Sequence, residues 1–283
     1  MSNSSQPRDT AGSTASRELL RLDGVGIRFG GLKAVDSLSF AVDAAQVVGL
    51  IGPNGAGKTT AFNLITGVYR PTEGHVRFAG QDITGWAPHR IARAGIFRTF
   101  QTIRLFQGQS VLNNVLAGMH LRTRQQWWQG LLATPAQRRE EGELRRTVLQ
   151  LLEKLRLDKL AHEDVASLPY GVQRRVELAR ALIAGPRLLI LDEPAAGLND
   201  QESTELNRTI LEVRDQGISV LLVEHDMNVV MNVTDHIVCI NFGRKIAEGT
   251  PEHIRNHPDV IEAYLGKDDD EDDAPAPRSG EAA

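Results

Sequence analysis

The chain has 283 residues, enough for one large or two smaller domains, and its 41% hydrophobic and 24% charged residues are ordinary for a globular protein. The formal net charge is -4, but seven acids and only two bases crowd into residues 267–283, so the remainder is near neutral and carries no nucleic-acid footprint. A single cysteine, Cys239, excludes an internal disulfide framework and suits a reducing compartment, and no run of about 18 apolar residues is present to cross a bilayer.

In chain order, residues 1–18 are Ser/Thr-rich and predict a disordered tail. They lack the apolar segment of a secretory signal, so the chain is expected on the cytoplasmic side, reaching a membrane only through a partner. The stretch ELLRLDGVGIRFGGLKAVDSLSFAVD, from residue 18, predicts short strands with Gly turns in an antiparallel β layer. QVVGLIG (46–52), RLLILDE (187–193), SVLLVEH (219–225) and HIVCI (236–240) are apolar runs bounded by breakers. Such runs suit the central strands of a sheet covered on both faces, with Cys239 as a buried strand residue. Helical patterns at 58–66 and 201–215 fall between them, and the alternation predicts an α/β fold.

Residues 102–165, rich in Leu, Gln, Arg and Glu, predict a mostly helical insertion. Within it, Trp127 and Trp128 beside Leu131 and Leu132 fit a core or protein contact better than a membrane interface. SLPYGVQRRVELARAL (167–182) predicts a helix with Pro169 in its first turn, because Val172, Val176, Ala179 and Ile183 recur at helical spacing. Its Pro-Tyr-Gly start and its three arginines, Arg174, Arg175 and Arg180, fit either a plain surface helix or one whose N-terminus faces an anion. The segment KDDDEDDAPAPRSGEAA (267–283) predicts a solvated acidic tail, since its like charges repel.

Two motifs carry chemistry. GPNGAGKTT comprises Gly52, Pro53, Asn54, Gly55, Ala56, Gly57, Lys58, Thr59 and Thr60, and fits G-x-x-x-x-G-K-[ST] between a strand and a helix. The glycines let backbone N–H groups wrap a phosphate chain, Lys58 reaches the β- and γ-phosphates, and the Thr59 hydroxyl suits Mg²⁺. A nucleoside triphosphate site is therefore expected. RLLILDEPAAGLN ends four apolar residues in Asp192 and Glu193, at the strand end where such sheets bind ligands. Beside a phosphate loop, Asp192 suits Mg²⁺ and Glu193 an attacking water. Without that loop the pair would only mark the end of a strand.

GPNGAGKTT (52–60), RTFQ (98–101), LPYGVQRRVELARAL (168–182), DEPAAGLN (192–199) and VLLVEHD (220–226), in that order, resemble the ATP-binding subunit of ABC transporters. RFGGLKAV, RTFQTIRLF, EHDMNVVM and GTPEHIRNHPDVIEAYLG look most like the subunit of high-affinity branched-chain amino-acid importers. The resemblance implies a P-loop NTPase core with an antiparallel β layer and a helical subdomain at about 102–185, in a cassette spanning 19–266. It implies ATP and Mg²⁺ as cofactors, and Phe29 stacking on adenine unless that ring is a strand-core residue. Gln101 would sense Mg²⁺ and the attacking water, and His225 would contact the γ-phosphate. Leu168, Pro169, Tyr170, Gly171 and Val172 stand where the family has Leu-Ser-Gly-Gly-Gln, the signature that faces a partner's ATP, so the usual serine hydroxyl is missing. Gly197, Leu198 and Asn199 form the following loop, with Asn199 where Asp is frequent.

The implied partners are transmembrane permease subunits, a second ATP-binding subunit (another copy or a paralogue) and, indirectly, a periplasmic or extracellular substrate-binding protein; no nucleic acid is expected. The implied place is the cytoplasmic face of the inner membrane. The same ATPase serving urea or amide import, or lipopolysaccharide export, stays open, as does a soluble ABC ATPase.

Overall fold

The computed structural model describes residues 18–99, 103–121 and 135–265. Residues 1–17, the predicted acidic tail, Gln101 and the Trp127–Trp128 pair lie outside the described residues, and Glu18, expected as the end of the first tail, opens a strand. The chain begins with β1 (Glu18–Phe29), β2 (Leu32–Asp43), β3 (Val47–Ile51), α1 (Lys58–Ile65), β4 (Glu73–Phe78) and β5 (Gln81–Asp82). It continues through α2 (Pro88–Ala94), β6 (Ile96–Arg98), α3 (Val111–Ala117), α4 (Pro135–Lys154), α5 (Tyr170–Ile183) and β7 (Leu188–Asp192). Next come α6 (Asp200–Asp215), β8 (Ser219–Val223), α7 (Met227–Val233), β9 (His236–Asn241) and β10 (Arg244–Gly249). Two short helices, α8 (Pro251–Arg255) and α9 (Pro258–Leu265), end the described part.

Among the described residues the strands form two sheets, ordered β2-β1-β4-β5 and β10-β9-β3-β8-β7-β6. The first is antiparallel, as expected, but its leading strands are long rather than short. β1 and β2 each run 12 residues. Gly24, at φ 59, does not end β1; it sits in a register shift between Leu22 and Val25, where a bulge absorbs the extra residue. In the second sheet β9, β3, β8, β7 and β6 run parallel, and β10 pairs antiparallel at one edge.

β3, β7 and β8 are buried at every position, which explains their unbroken apolar runs. Leu188, Ile190, Leu221 and Val223 pack toward the antiparallel sheet and α1, while Leu189, Leu191, Val220 and Leu222 pack toward α3–α6. Each such side chain contributes about 1.5–3 kcal/mol on burial. Cys239 lies inside β9, and burial pushes its thiol up to about 12.

Parallel strands bring their C-terminal ends to one edge. The phosphate loop follows β3, Asp192 and Glu193 close β7, and His225 follows β8. A ligand crevice at that edge is the usual consequence of this topology.

Candidate active site

The phosphate loop is shaped by close backbone approaches. Gly52 sits at φ 152, and a Cβ there would stand 2.1 Å from the Ile240 carbonyl oxygen. Gly57, at φ 103, leads into α1, and a Cβ on it would stand 2.7 Å from the Ala34 carbonyl oxygen. The loop is also stitched to the β9–β10 hairpin: Gly243 N donates to Ala56 O at 2.9 Å, and Asp36 N of β2 donates to Gly243 O at 2.8 Å. Lys58 is buried, with its ammonium donating to Gly52 O at 2.5 Å and Pro53 O at 3.0 Å, so the charge lies across the loop.

Around the loop lies a cleft of about 310 Å³. Asn54, Gly55, Ala56, Gly57, Lys58, Thr59 and Thr60 form one wall; Leu32, Lys33, Ala34, Glu193, His225 and Phe242 complete it. The cleft therefore brings the predicted phosphate loop, Glu193 and His225 together. Phe29, at the end of β1, is not among the lining residues; it is 44% exposed and meets Tyr69 edge-on at 5.1 Å. The residues expected to form the signature are not among those lining this cleft. Gly171, Val172 and Leu198 line a small crevice with Glu202 at the start of α6.

Glu193 and His225 touch, with Nε2 2.6 Å from Oε1. In the tautomer protonated at Nε2, the imidazole donates to the carboxylate. Glu193 holds a left-handed backbone, φ 48, a conformation that costs about 1–3 kcal/mol in a non-glycine residue and clusters at functional sites. Its N–H donates to Val223 O at 2.8 Å, and its carbonyl accepts from Ala196 N and from the Arg174 guanidinium, each at 3.2 Å.

Beneath this pair sits Glu224, buried at the end of β8. Its carboxylate accepts from Ala195 N at 2.6 Å and His225 N at 3.1 Å, tying the loop after β7 to the loop after β8. Burial raises its pKa; the backbone N–H groups oppose that rise without cancelling it. The sequence offered a signal for it, an acid directly before His225 at a strand end, but nothing distinguished it from a surface residue. Arg98, the first residue of RTFQ, had no role assigned from the sequence. It donates to Asp192 Oδ2 at 2.5 Å and to Asn63 Oδ1 at 2.7 Å, joining β6, β7 and α1.

Thr59 and Asp192 are oxygen donors only, which suits a hard cation that also takes phosphate oxygens and waters. Among the described residues no cluster of three or more His, Cys, Asp or Glu is placed to hold a metal by itself. The donor set thus fits Mg²⁺ arriving with a nucleotide.

Helix α5 begins at Tyr170, with Pro169 as its N-cap rather than in its first turn. The helix starts one residue later than its sequence pattern suggests, because the backbone at Pro169 is extended, with φ -54 and ψ 151. Gly171 is buried there, and a Cβ on it would stand 2.3 Å from Glu202 Oε1. Glu202 in turn forms a capping box with Asn199: Asn199 Oδ1 accepts from Glu202 N, and Glu202 Oε2 accepts from Asn199 N.

Comparison with known proteins places the chain in a family. The family described as "ABC transporter" matches residues 35–196, and "Branched-chain amino acid ATP-binding cassette transporter" matches residues 244–270. The chain is 48% identical over 253 residues to the high-affinity branched-chain amino acid transport ATP-binding protein BraF of Pseudomonas aeruginosa, covering 89% of this chain and 99% of the relative. It is 46% identical to the corresponding protein LivG of Salmonella typhimurium, with the same coverage. The solved ADP conformation of MJ1267, an ATP-binding cassette of an ABC transporter, superposes with a TM-score of 0.77 at 32% identity, covering 88% of this chain and 99% of that one. The chain belongs to the ATP-binding cassettes of ABC transporters, membrane-associated ATPases whose hydrolysis drives transport, and within them it groups with the branched-chain amino-acid transport ATP-binding proteins.

Proposed function

We propose that the chain is the energy-coupling subunit of a branched-chain amino-acid importer, held by permease subunits on the cytoplasmic face of the inner membrane. The observation that carries the catalytic part is the 2.6 Å contact between Glu193 and His225 on the wall of the phosphate-loop cleft. The loop N–H groups and Lys58 bind and orient the triphosphate. Glu193 accepts a proton from the water that attacks the γ-phosphorus, the bond to the bridging oxygen breaks, and ADP and phosphate result. His225 holds the Glu193 carboxylate in place and faces the γ-phosphate. Thr59, Asp192 and Gln101 would hold Mg²⁺, which when bound draws charge from the phosphate oxygens. Phe29 lies three residues before the cleft-lining Leu32 and would stack on the base.

The signature residues 168–172 lie outside the cleft, which suits service to a second subunit's ATP in a head-to-tail pair. A groove lined by Phe97, Thr99, Phe106, Glu177 and Arg180 would receive a permease element. The substrate class is carried by the relatives' names. Replacing Glu193 by Gln should lower Mg²⁺-dependent ATP hydrolysis at least ~100-fold, the scale of a lost catalytic base. Undiminished turnover in that variant would remove Glu193 from the mechanism.

A further inference from the structure

The groove proposed for a permease element and the catalytic cleft share no lining residue, yet two buried side chains join them. Glu177 lines the groove from α5. Its Oε1 accepts from Arg104 N at 3.4 Å, and its Oε2 accepts from Arg174 Nη1 at 3.0 Å. Arg174 Nη2 then donates to the carbonyl of Glu193. From the groove wall to the peptide of Glu193 there are thus two hydrogen bonds. Arg180 braces the groove end: it donates to Arg104 O and stands 5.9 Å from the Phe106 ring. The neighbouring Arg175 turns away toward Glu205, so the connection depends on Arg174 alone among the adjacent arginines of α5.

Stability alone is a poor explanation for this pair. The Arg174 and Glu177 side chains are 4% and 2% exposed, and removing both charges from water costs several kcal/mol per ion. Apolar residues of similar volume often serve a core equally well. What the pair supplies is direction. A guanidinium fixed by a carboxylate at one end presents its other nitrogen to one carbonyl, and that carbonyl belongs to a residue held at φ 48. With Val223 O on the N–H side and Arg174 on the carbonyl side, the peptide units flanking Glu193 are fixed from two different elements.

We propose that Arg174 and Glu177 are positioning residues that transmit occupancy of the groove to the backbone of Glu193, and so set the aim of its carboxylate. The proposal rests on the reading of Glu193 as the group that takes the water's proton. An element entering the groove meets Arg180, whose guanidinium stands 3.9 Å from Glu177 Oε1. A shift of Glu177 re-aims Arg174, and the Glu193 carbonyl follows. This route runs through the signature helix of the same chain.

The test compares Glu177→Gln, Arg174→Lys and Arg174→Met in the full chain, measured alone and in its co-purified membrane complex, with Glu193→Gln as control. Glu177→Gln and Arg174→Met should lower kcat about tenfold while KM for ATP stays within about twofold, the pattern of lost positioning rather than lost binding. Arg174→Lys, which keeps one donor, should recover part of that loss. The ratio of hydrolysis in the complex to hydrolysis alone should fall toward one in Glu177→Gln. Unchanged kcat, an unchanged ratio, or a loss of nucleotide affinity in step with kcat would each overturn the proposal; the last would make the pair a plain structural support. Full activity in Glu193→Gln would instead strike down the reading of Glu193, separately from the behaviour of the pair.

Discussion

At the scale of single residues, the site depends on a carboxylate that never faces the cleft. Glu224 holds the backbone of two loops, and it does so from a buried position where its charge is disfavoured. Its folded pKa lies above the ordinary value of 4.5, so the folded state keeps its proton longer than the unfolded chain does. That contribution to stability is complete below about pH 4.5 and is lost as pH rises through the folded pKa. Glu224→Gln cannot titrate. Wild-type protein should therefore lose stability relative to this variant as pH rises from about 4.5, as read from urea midpoints across a pH series. A constant difference at every pH would show that Glu224 does not carry the linkage.

At the scale of elements, the junction of α5 with α6 shows how the departures from the family's usual signature are accommodated. At Gly171 a Cβ would displace the Glu202 carboxylate from its place beside α5. Asn199 caps α6 through Glu202. Asn199→Ala should cost about 1 kcal/mol, whereas Asn199→Asp should match the wild type or gain slightly from the helix dipole. Chemical denaturation of the two variants separates capping from any effect on turnover. The same junction marks where sequence reasoning stopped. The phosphate loop, Asp192, Glu193 and His225 were legible because their chemistry demands particular residues at particular places along strands. Arg174 was not. Among three arginines on one predicted helix, only the packed structure distinguishes the one that reaches the Glu193 carbonyl. The long β1 was misjudged for a related reason: Gly24 looks like a turn in one dimension and is a bulge in three.

At the scale of the whole molecule, one sheet serves two clefts: Glu193 and His225, which follow β7 and β8, line the phosphate-loop cleft, and Phe97 of β6 lines the groove together with Glu177 and Arg180 of α5. No helix among the described residues is long and apolar enough to cross a membrane. Phe106 lines the groove, 58% exposed. Phe106→Glu should reduce recovery of permease subunits with the tagged chain at least several-fold while ATP affinity is retained; equal recovery would move the attachment point elsewhere. The hairpin between β9 and β10 carries a different lesson. Phe242 at its tip is 82% exposed, and exposed hairpin tips are ordinarily where a chain tolerates an inserted tag or a protease cut. Here the next residue, Gly243, bonds both Ala56 and Asp36. An insertion at this visible tip would be felt first in the phosphate loop. A tag is better placed after α6 at Gly217, whose surroundings are open.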